Sequence, residues 1–276
     1  MTINCKGRLI DLSSPKIMGI LNLTPDSFYD GGSYKSDKDA LLQVEQMLEH
    51  GATFIDIGGQ STRPSSTFLT AEEELKRILP VIENILTRFP KALISVDTFY
   101  SEVARQAVNR GVAMINDISA GNIDEQMIKT VAELQVPYVM MHMRGLPQNM
   151  QSTENTTYEN MLQEILLYFS EKLNQARLLG LNDIIIDPGF GFSKTVEHNF
   201  ELIRNLDLFK SLDLPILMGV SRKSTICKTL GITPKEALNG TSVLNSLSLL
   251  NGANIIRVHD IREAWECIQL IEAYNG

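Results

Sequence analysis

The stretch KALISVDTFYSEVARQAVNRGVAMINDIS, residues 91–119, contains one complete structural unit. ALISVD at 92–97 is a short apolar run of strand character that ends on a carboxylate. Apolar residues at helical spacing follow over 100–110, and Ser101 precedes Glu102, which places an acid where the positive end of a helix dipole favours it. Gly111 lies just past the helix, as a left-handed C-terminal cap requires, and a second strand, AMIND at 113–117, begins almost at once.

The same unit recurs in both directions. Upstream are KIMGILN at 16–22 and TFIDIG at 53–58; downstream are PYVMMH at 137–142, DIIIDP at 183–188, PILMGV at 215–220 and NIIRVH at 254–259. Helical spacing predicts helices over 38–50, 71–88, 124–135, 157–180, 195–211, 235–251 and 261–274. Thr70 ahead of Glu72, Glu73 and Glu74 marks one start, and Gly51, Gly180 and Gly252 mark ends. Eight strands alternating with helices predict an α/β fold, a single closed (β/α)8 TIM barrel spanning residues 1–276 as one domain. Residues 1–15 are expected to form a small N-terminal hairpin closing the barrel floor, and 221–232 an additional short helix. Connections into strands are short, whereas those leaving strands 1 and 2, at 22–35 and 58–70, are long and rich in Gly, Ser, Thr, Pro and Asp. The elaborated loops therefore share one rim.

Bulk properties narrow the function. With 276 residues, 43% of them hydrophobic, the chain has material for a barrel-sized core, and its net charge of -8 argues against a nucleic-acid surface. Cys5, Cys227 and Cys267 are scattered and odd in number, which suits a reducing compartment and suggests neither a disulfide framework nor a zinc cluster. No apolar run approaches the roughly 20 residues that span a bilayer, and the N-terminus lacks a signal-peptide core, so a soluble, unprocessed, cytoplasmic protein is expected.

Polar residues at strand ends carry the functional signal. Strand 1 ends in Asn22, strand 3 in Asp97, strand 4 in Asn116 and Asp117, strand 5 in His142 and strand 6 in Asp187; strand 7 leads to Ser221, Arg222 and Lys223, and strand 8 carries Arg257, His259 and Asp260. A lone Asp or Asn after a strand is commonly a turn former or helix cap, which suffices for Asp117 and Asp260. The set as a whole predicts a shared polar pocket at the C-terminal rim. Asp97, Asn116 and Asp187 with the cations Lys223 and Arg257 suit a flat heterocycle with donors and acceptors around its edge, since a carboxylate accepts two parallel N–H bonds from an aminopyrimidine. The guanidinium of Arg257 could stack on such a ring and donate to an anion. His142 and His259 lack metal-site spacing and suit structural or anion-binding roles, while His50 and His198 fall on predicted helices. GGQSTRP at 58–64 and TPDSFYDGG at 24–32 read equally as surface loops shaped by Pro and Gly or as donors to a ligand anion, with Arg63 supplying charge. A diphosphate there would often bring Mg2+ held by few protein ligands.

Along nearly its whole length the sequence resembles the bacterial dihydropteroate synthase family. The resemblance is carried, in family order, by GILNLTPDSFYDGG (19–32), IDIGGQSTRP (55–64), SVDT (95–98), INDIS (115–119), MHM (141–143), DPGFGF (187–192), SRKS (221–224) and RVHD (257–260). It implies condensation of 6-hydroxymethyl-7,8-dihydropterin diphosphate with p-aminobenzoate to give 7,8-dihydropteroate and pyrophosphate, with Mg2+ and a homodimer. By motif, the pterin would meet Asp97, Asn116, Met141, Asp187, Lys223 and Arg257; the diphosphate would meet Asn22, Arg63, Arg257 and His259, with Asn22 also on the metal. p-Aminobenzoate, and sulfonamides that resemble it, would lie against Thr62, Pro64, Phe192, Lys223 and Ser224. Loss of diphosphate would leave a cationic methylene, an SN1-like route in which Asp97, Lys223, Arg257 and Arg63 act catalytically by stabilising charge. Gln60 and Ser65 depart from the usual Glu and Gly, which bears on loop position and drug sensitivity. A methyltransferase acting on methyltetrahydrofolate shares the barrel but has no need of STRP or SRKS, and a silent paralogue that only binds would not need the full residue set. The outer faces of the last three helices are the expected dimer surface, with Leu244, Leu247, Leu250, Trp265, Ile268 and Ile271 read as core rather than interface.

Overall fold

The computed structural model describes residues 1–23, 33–60 and 68–276. A short antiparallel hairpin comes first, β1 (Thr2–Cys5) pairing β2 (Arg8–Asp11). The barrel strands follow: β3 (Lys16–Asn22), β4 (Phe54–Gly58), β5 (Leu93–Asp97), β6 (Met114–Asp117), β7 (Tyr138–Met141), β8 (Ile184–Asp187), β9 (Leu217–Met218) and β10 (Ile255–Val258). All pair in parallel, in the order β8-β7-β6-β5-β4-β3-β10-β9. A parallel bridge between Ile186 and Ile216, with the Ile186 N–H donating to the Pro215 carbonyl at 2.9 Å, joins the two ends and closes the barrel.

Helices cover the outside: α1 (Ser33–Glu49), α2 (Ala71–Arg88), α3 (Ser101–Asn109), α4 (Met127–Leu134), α5 (Thr153–Thr156), α6 (Met161–Leu178), α7 (Val196–Arg204), α8 (Ser224–Leu230), α9 (Leu238–Leu250) and α10 (Ile261–Asn275). The strand pleat sorts the core into two shells. Ile55, Ile57, Ile94, Val96, Ile184, Ile186, Ile256 and Val258 face outward and pack with the helices. Met18, Phe54, Leu93, Met114, Val139, Ile185, Leu217 and Ile255 face inward, in one layer. Ile3, Cys5, Ile10 and Leu12 of the hairpin pack against that layer, so the expected floor exists and seals the N-terminal end.

Helix ends show which local signals prevailed. Thr70 caps α2 in a reciprocal box with Glu73, and Gly111 adopts φ +105°, as Gly252 does, while donating to the Val108 carbonyl. Ser101 is the first helical residue of α3 rather than its cap; its N–H is satisfied by the Asp124 carboxylate at 2.7 Å. Asp124 also accepts from the Gln126 N–H at 3.0 Å in a local turn ahead of α4, which begins at Met127 instead of 124. The long helix expected over 157–180 begins later, because Asn160 caps its start at Met161 by accepting from the Gln163 N–H, and it runs to Leu178. The one expected over 195–211 passes into a 3-10 turn at Leu206–Leu212. The short helix expected in 221–232 is α8, ended by Gly231.

One expectation about packing is corrected. Leu244 and Ile268 are buried at 5% exposure, yet Leu247, Leu250 and Trp265 are 40%, 45% and 46% exposed. The faces of α9 and α10 that touch the barrel are already filled, which leaves these side chains outside. No described helix is long and apolar enough to cross a membrane.

Candidate active site

One pleat above the inward apolar layer, the barrel interior turns polar. On β4 the inward row runs Phe54, Asp56, Gly58; on β10 it runs Ile255, Arg257; β5, β6 and β8 contribute Asp97, Asn116 and Asp187 in the same way. Asp56 is fully buried, and its Oδ2 accepts from Arg257 Nε at 2.6 Å and from Asn116 Nδ2 at 3.0 Å. Arg257 Nη2 donates to Asp97 Oδ2 at 2.8 Å. A single guanidinium thus bridges two carboxylates on the barrel axis. Asp56 Oδ1 has no hydrogen-bond partner among the described residues.

Charge balance follows from this geometry. Burial raises the Asp97 carboxyl to about 7; Arg257 opposes the rise and Asp56 adds to it. Burial works against the charge of Arg257, but the neighbouring Asp56 and Asp97 carboxylates outweigh it and raise the guanidinium further. Asp187, whose Oδ1 accepts from the Gly189 N–H at 2.8 Å, is raised by burial and held back by Lys223. Lys223 is lowered by burial to about 8, with Asp187 working in the opposite sense. Its ammonium donates to the Phe190 carbonyl and stands 4.4 Å from the centre of the Phe192 ring. Above these groups Phe99, Ile118, Met141, Met143 and Met150 form a small apolar cluster, with Phe192 and Phe68 packed on it. A polar edge beneath an apolar wall fits a flat, polar-rimmed ring.

The sequence-selected residues divide three ways. Asp97, Asn116, Met141, Asp187, Phe192, Lys223 and Arg257 gather here, and Asn22 ends β3 on the same rim. Ser224 opens α8, and His259 Nδ1 lies 3.0 Å from Ser221 Oγ. Thr62, Arg63, Pro64 and Ser65, together with residues 24–32, lie outside the described residues. Asp117 faces the outer shell, accepting from Ser119, Gly121 and the Tyr138 hydroxyl. Asp260 grips the Arg222 guanidinium at 2.8 and 2.7 Å. Both are structural, though Asp260 works through that ion pair and makes no side-chain cap bond. His142 is buried with Nδ1 3.1 Å from Lys194 Nζ, and no group of three or more His, Cys, Asp or Glu able to hold a metal occurs among the described residues.

Asp56 and Lys194 were not singled out in the sequence, and Glu74 was read only as an acid of a helix's first turn. Asp56 was legible: strict alternation along TFIDIG puts an acid between two inward positions of an otherwise apolar strand. Glu74 is buried in α2, where its Oε2 accepts from Gln60 Nε2 at 3.0 Å and Thr98 Oγ1 at 3.1 Å. Gln60 also accepts from the Leu69 N–H at 3.1 Å, spanning residues 61–67 from their two ends. The amide at position 60 is therefore a donor to a buried acid that a glutamate there would repel.

The family described as pterin binding enzyme matches residues 18–259. The dihydropteroate synthase of Escherichia coli strain K12 is 41% identical over 275 residues, covering 99% of this chain and 96% of that one. The Yersinia pestis dihydropteroate synthase, solved with a sulfonamide drug complex, superposes with a TM-score of 0.93 at 37% identity, covering 100% of this chain and 99% of that one. The Xanthomonas albilineans dihydropteroate synthase with 4-aminobenzoic acid gives 0.92 at 36% identity, covering 100% and 98%. The chain belongs to the pterin-binding enzymes, a family of barrel proteins, and within it to the dihydropteroate synthases, which are transferases.

Proposed function

We propose that the chain condenses 6-hydroxymethyl-7,8-dihydropterin diphosphate with p-aminobenzoate by an SN1-like route, releasing pyrophosphate and forming 7,8-dihydropteroate. The observation that carries this reading is the Asp56–Arg257–Asp97 bridge, with Asp187 and Lys223 in the same pocket. Asp187 and Asn116 receive the aminopyrimidine edge, and Lys223 donates to the ring carbonyl. Departure of the diphosphate spreads positive charge over the methylene and ring, which an ionised Asp97 stabilises while Arg257, Arg63 and His259 hold the leaving group. Burial in a low dielectric makes each of these interactions larger than in water. The weakly nucleophilic aryl amine then attacks from beside Phe192, Lys223 and Ser224, where a sulfonamide would also compete, with Thr62 and Pro64 assigned to the same substrate by the family motif.

Mg2+ belongs to this reading. The donors present fit a hard cation that takes few protein ligands: Asn22 offers an amide oxygen at the rim and diphosphate oxygens would complete the shell. It would neutralise charge on the leaving group. A homodimer is supported by Val243, Leu247 and Leu250, which form an exposed apolar stripe along α9. The free thiols of Cys5, Cys227 and Cys267 suit a cytoplasmic setting.

Arg257→Ala tests the assignment. A fall in kcat of about 100-fold or more is expected, the scale for removing one charge-stabilising donor. Turnover near that of the parent would contradict the role given to the bridge.

A further inference from the structure

Lys194 and His142 form a buried pair beside the site that the proposed chemistry leaves unused. Lys194 is 2% and His142 3% exposed, and their Nζ and Nδ1 atoms are 3.1 Å apart. The same ammonium donates to the Phe192 carbonyl at 3.1 Å. Burial lowers Lys194 to about 7, with Asp187 working in the opposite sense. In its ammonium form it has no lone pair to accept with, so His142 then offers one at Nδ1 and carries its proton on Nε2. Burial, with Lys194 nearby, drives His142 well below its usual pKa, consistent with a neutral ring.

The pair acts on the loop that supports Lys223. Residues 188–193 run from the end of β8 between two walls. On one side a Cβ at Gly189 would lie 2.0 Å from the His142 carbonyl oxygen and 3.4 Å from Lys194 Nζ. On the other, a Cβ at Gly191 would lie 2.8 Å from Lys223 Cδ. Both glycines have positive φ, +75° and +83°, so the loop can thread this gap only without side chains there. The loop then presents the Phe190 carbonyl and the Phe192 ring to Lys223 Nζ. Ser193 ties the loop's end to Arg144 and Tyr158, and Gly191 is held by Asn199 Oδ1 at 2.6 Å and Gln151 Nε2 at 3.0 Å, while Lys194 holds the Phe192 carbonyl, next to the ring that faces Lys223.

We propose that Lys194 is a positioning residue for Lys223: anchored on His142, its ammonium holds the 188–193 loop at the spacing that places the Lys223 ammonium against its substrates. The proposal takes its substrates from the synthase reading above, but its geometry can be tested without turnover.

The full-length enzyme would be compared with Lys194→Met, His142→Phe, His142→Asn and the Lys194→Met/His142→Phe double variant. Asn puts an amide oxygen near the position of Nδ1 and keeps the acceptor; Phe removes it. KM for p-aminobenzoate is expected to rise about ten-fold in Lys194→Met and His142→Phe, to return to within two- to three-fold of the parent in His142→Asn, and to rise no further in the double variant, since the two residues act as one unit. In parallel, NMR of isotope-labelled lysine, assigned with Lys223→Met, follows the titration of Lys223 and should shift by at least half a pH unit in His142→Phe. A lowered Tm with unchanged KM, fully additive effects, or His142→Asn as impaired as His142→Phe would overturn the proposal. If Lys194→Met does not fold, the two His142 variants decide it on the same criteria. If the parent itself shows no p-aminobenzoate-dependent turnover, the synthase reading fails, and an unmoved Lys223 titration in His142→Phe would overturn the positioning role independently.

Discussion

Asp97 is the residue whose protonation is most exposed to test. Its carboxyl is raised by burial to about 7, so it is ionised above that pH and neutral below it. Because the proposed role needs the charged form, kcat should fall as pH drops below about 7. Asp97→Asn should abolish that acid limb along with most of the rate; a pH profile unchanged in shape would remove Asp97 from the mechanism. Glu74 makes a prediction about stability instead. It rises by burial from 4.5 to about 7, with Gln60 and Thr98 only partly opposing, and its Oε1 has no partner among the described residues. A carboxyl raised in the folded state binds more protons folded than unfolded between those two values, so it makes stability fall as pH climbs from about 4.5 to 7. Denaturant titrations of Glu74→Gln should show a shallower decline across that window and a gain of about 1–3 kcal/mol above it. A variant less stable than the parent at pH 8 would contradict this account.

Elements show what local sequence can and cannot specify. Thr70 with Glu73 three residues on was readable as a helix start because both halves of the box lie within one turn. Thr70→Ala should cost about 1 kcal/mol of stability in a denaturant titration, and a change below a few tenths would show that tertiary packing alone fixes α2. Strand positions were readable for a similar reason: each is a short apolar run, four of them follow a helix ended by Gly51, Gly111, Gly180 or Gly252, and most lead to a polar rim residue. The start of α3 was read to within one residue, but the group that satisfies its first N–H was not, since Asp124 lies on the loop after the next strand. Within the site, Asp97, Asn116, Asp187, Lys223 and Arg257 announced themselves by ending or following strands. Asp56 was passed over because attention to strand ends misses the position one pleat below. Lys194 looked like an ordinary loop lysine; its interest lies in being buried against His142, and that contact spans 52 residues of sequence.

At the scale of the molecule, the hairpin and the apolar inward layer seal one end of the barrel, so the polar layer opens only toward the rim that carries the long loops. The stripe Val243, Leu247 and Leu250 is the feature this arrangement leaves unexplained within one chain. If it is the dimer surface, Leu247→Asp should convert a dimer to a monomer in sedimentation or light scattering while leaving the helical signal intact. A parent already monomeric at micromolar concentration would reject the interface.

The central claim is that the pocket brings a pterin diphosphate and an aryl amine into one reaction, and the dependence of pyrophosphate release on p-aminobenzoate tests it most directly. With purified enzyme, Mg2+ and 6-hydroxymethyl-7,8-dihydropterin diphosphate, release is expected to require p-aminobenzoate, saturate with it, and match 7,8-dihydropteroate formed one for one. Release that is indifferent to p-aminobenzoate, or absent with both substrates present, would contradict it.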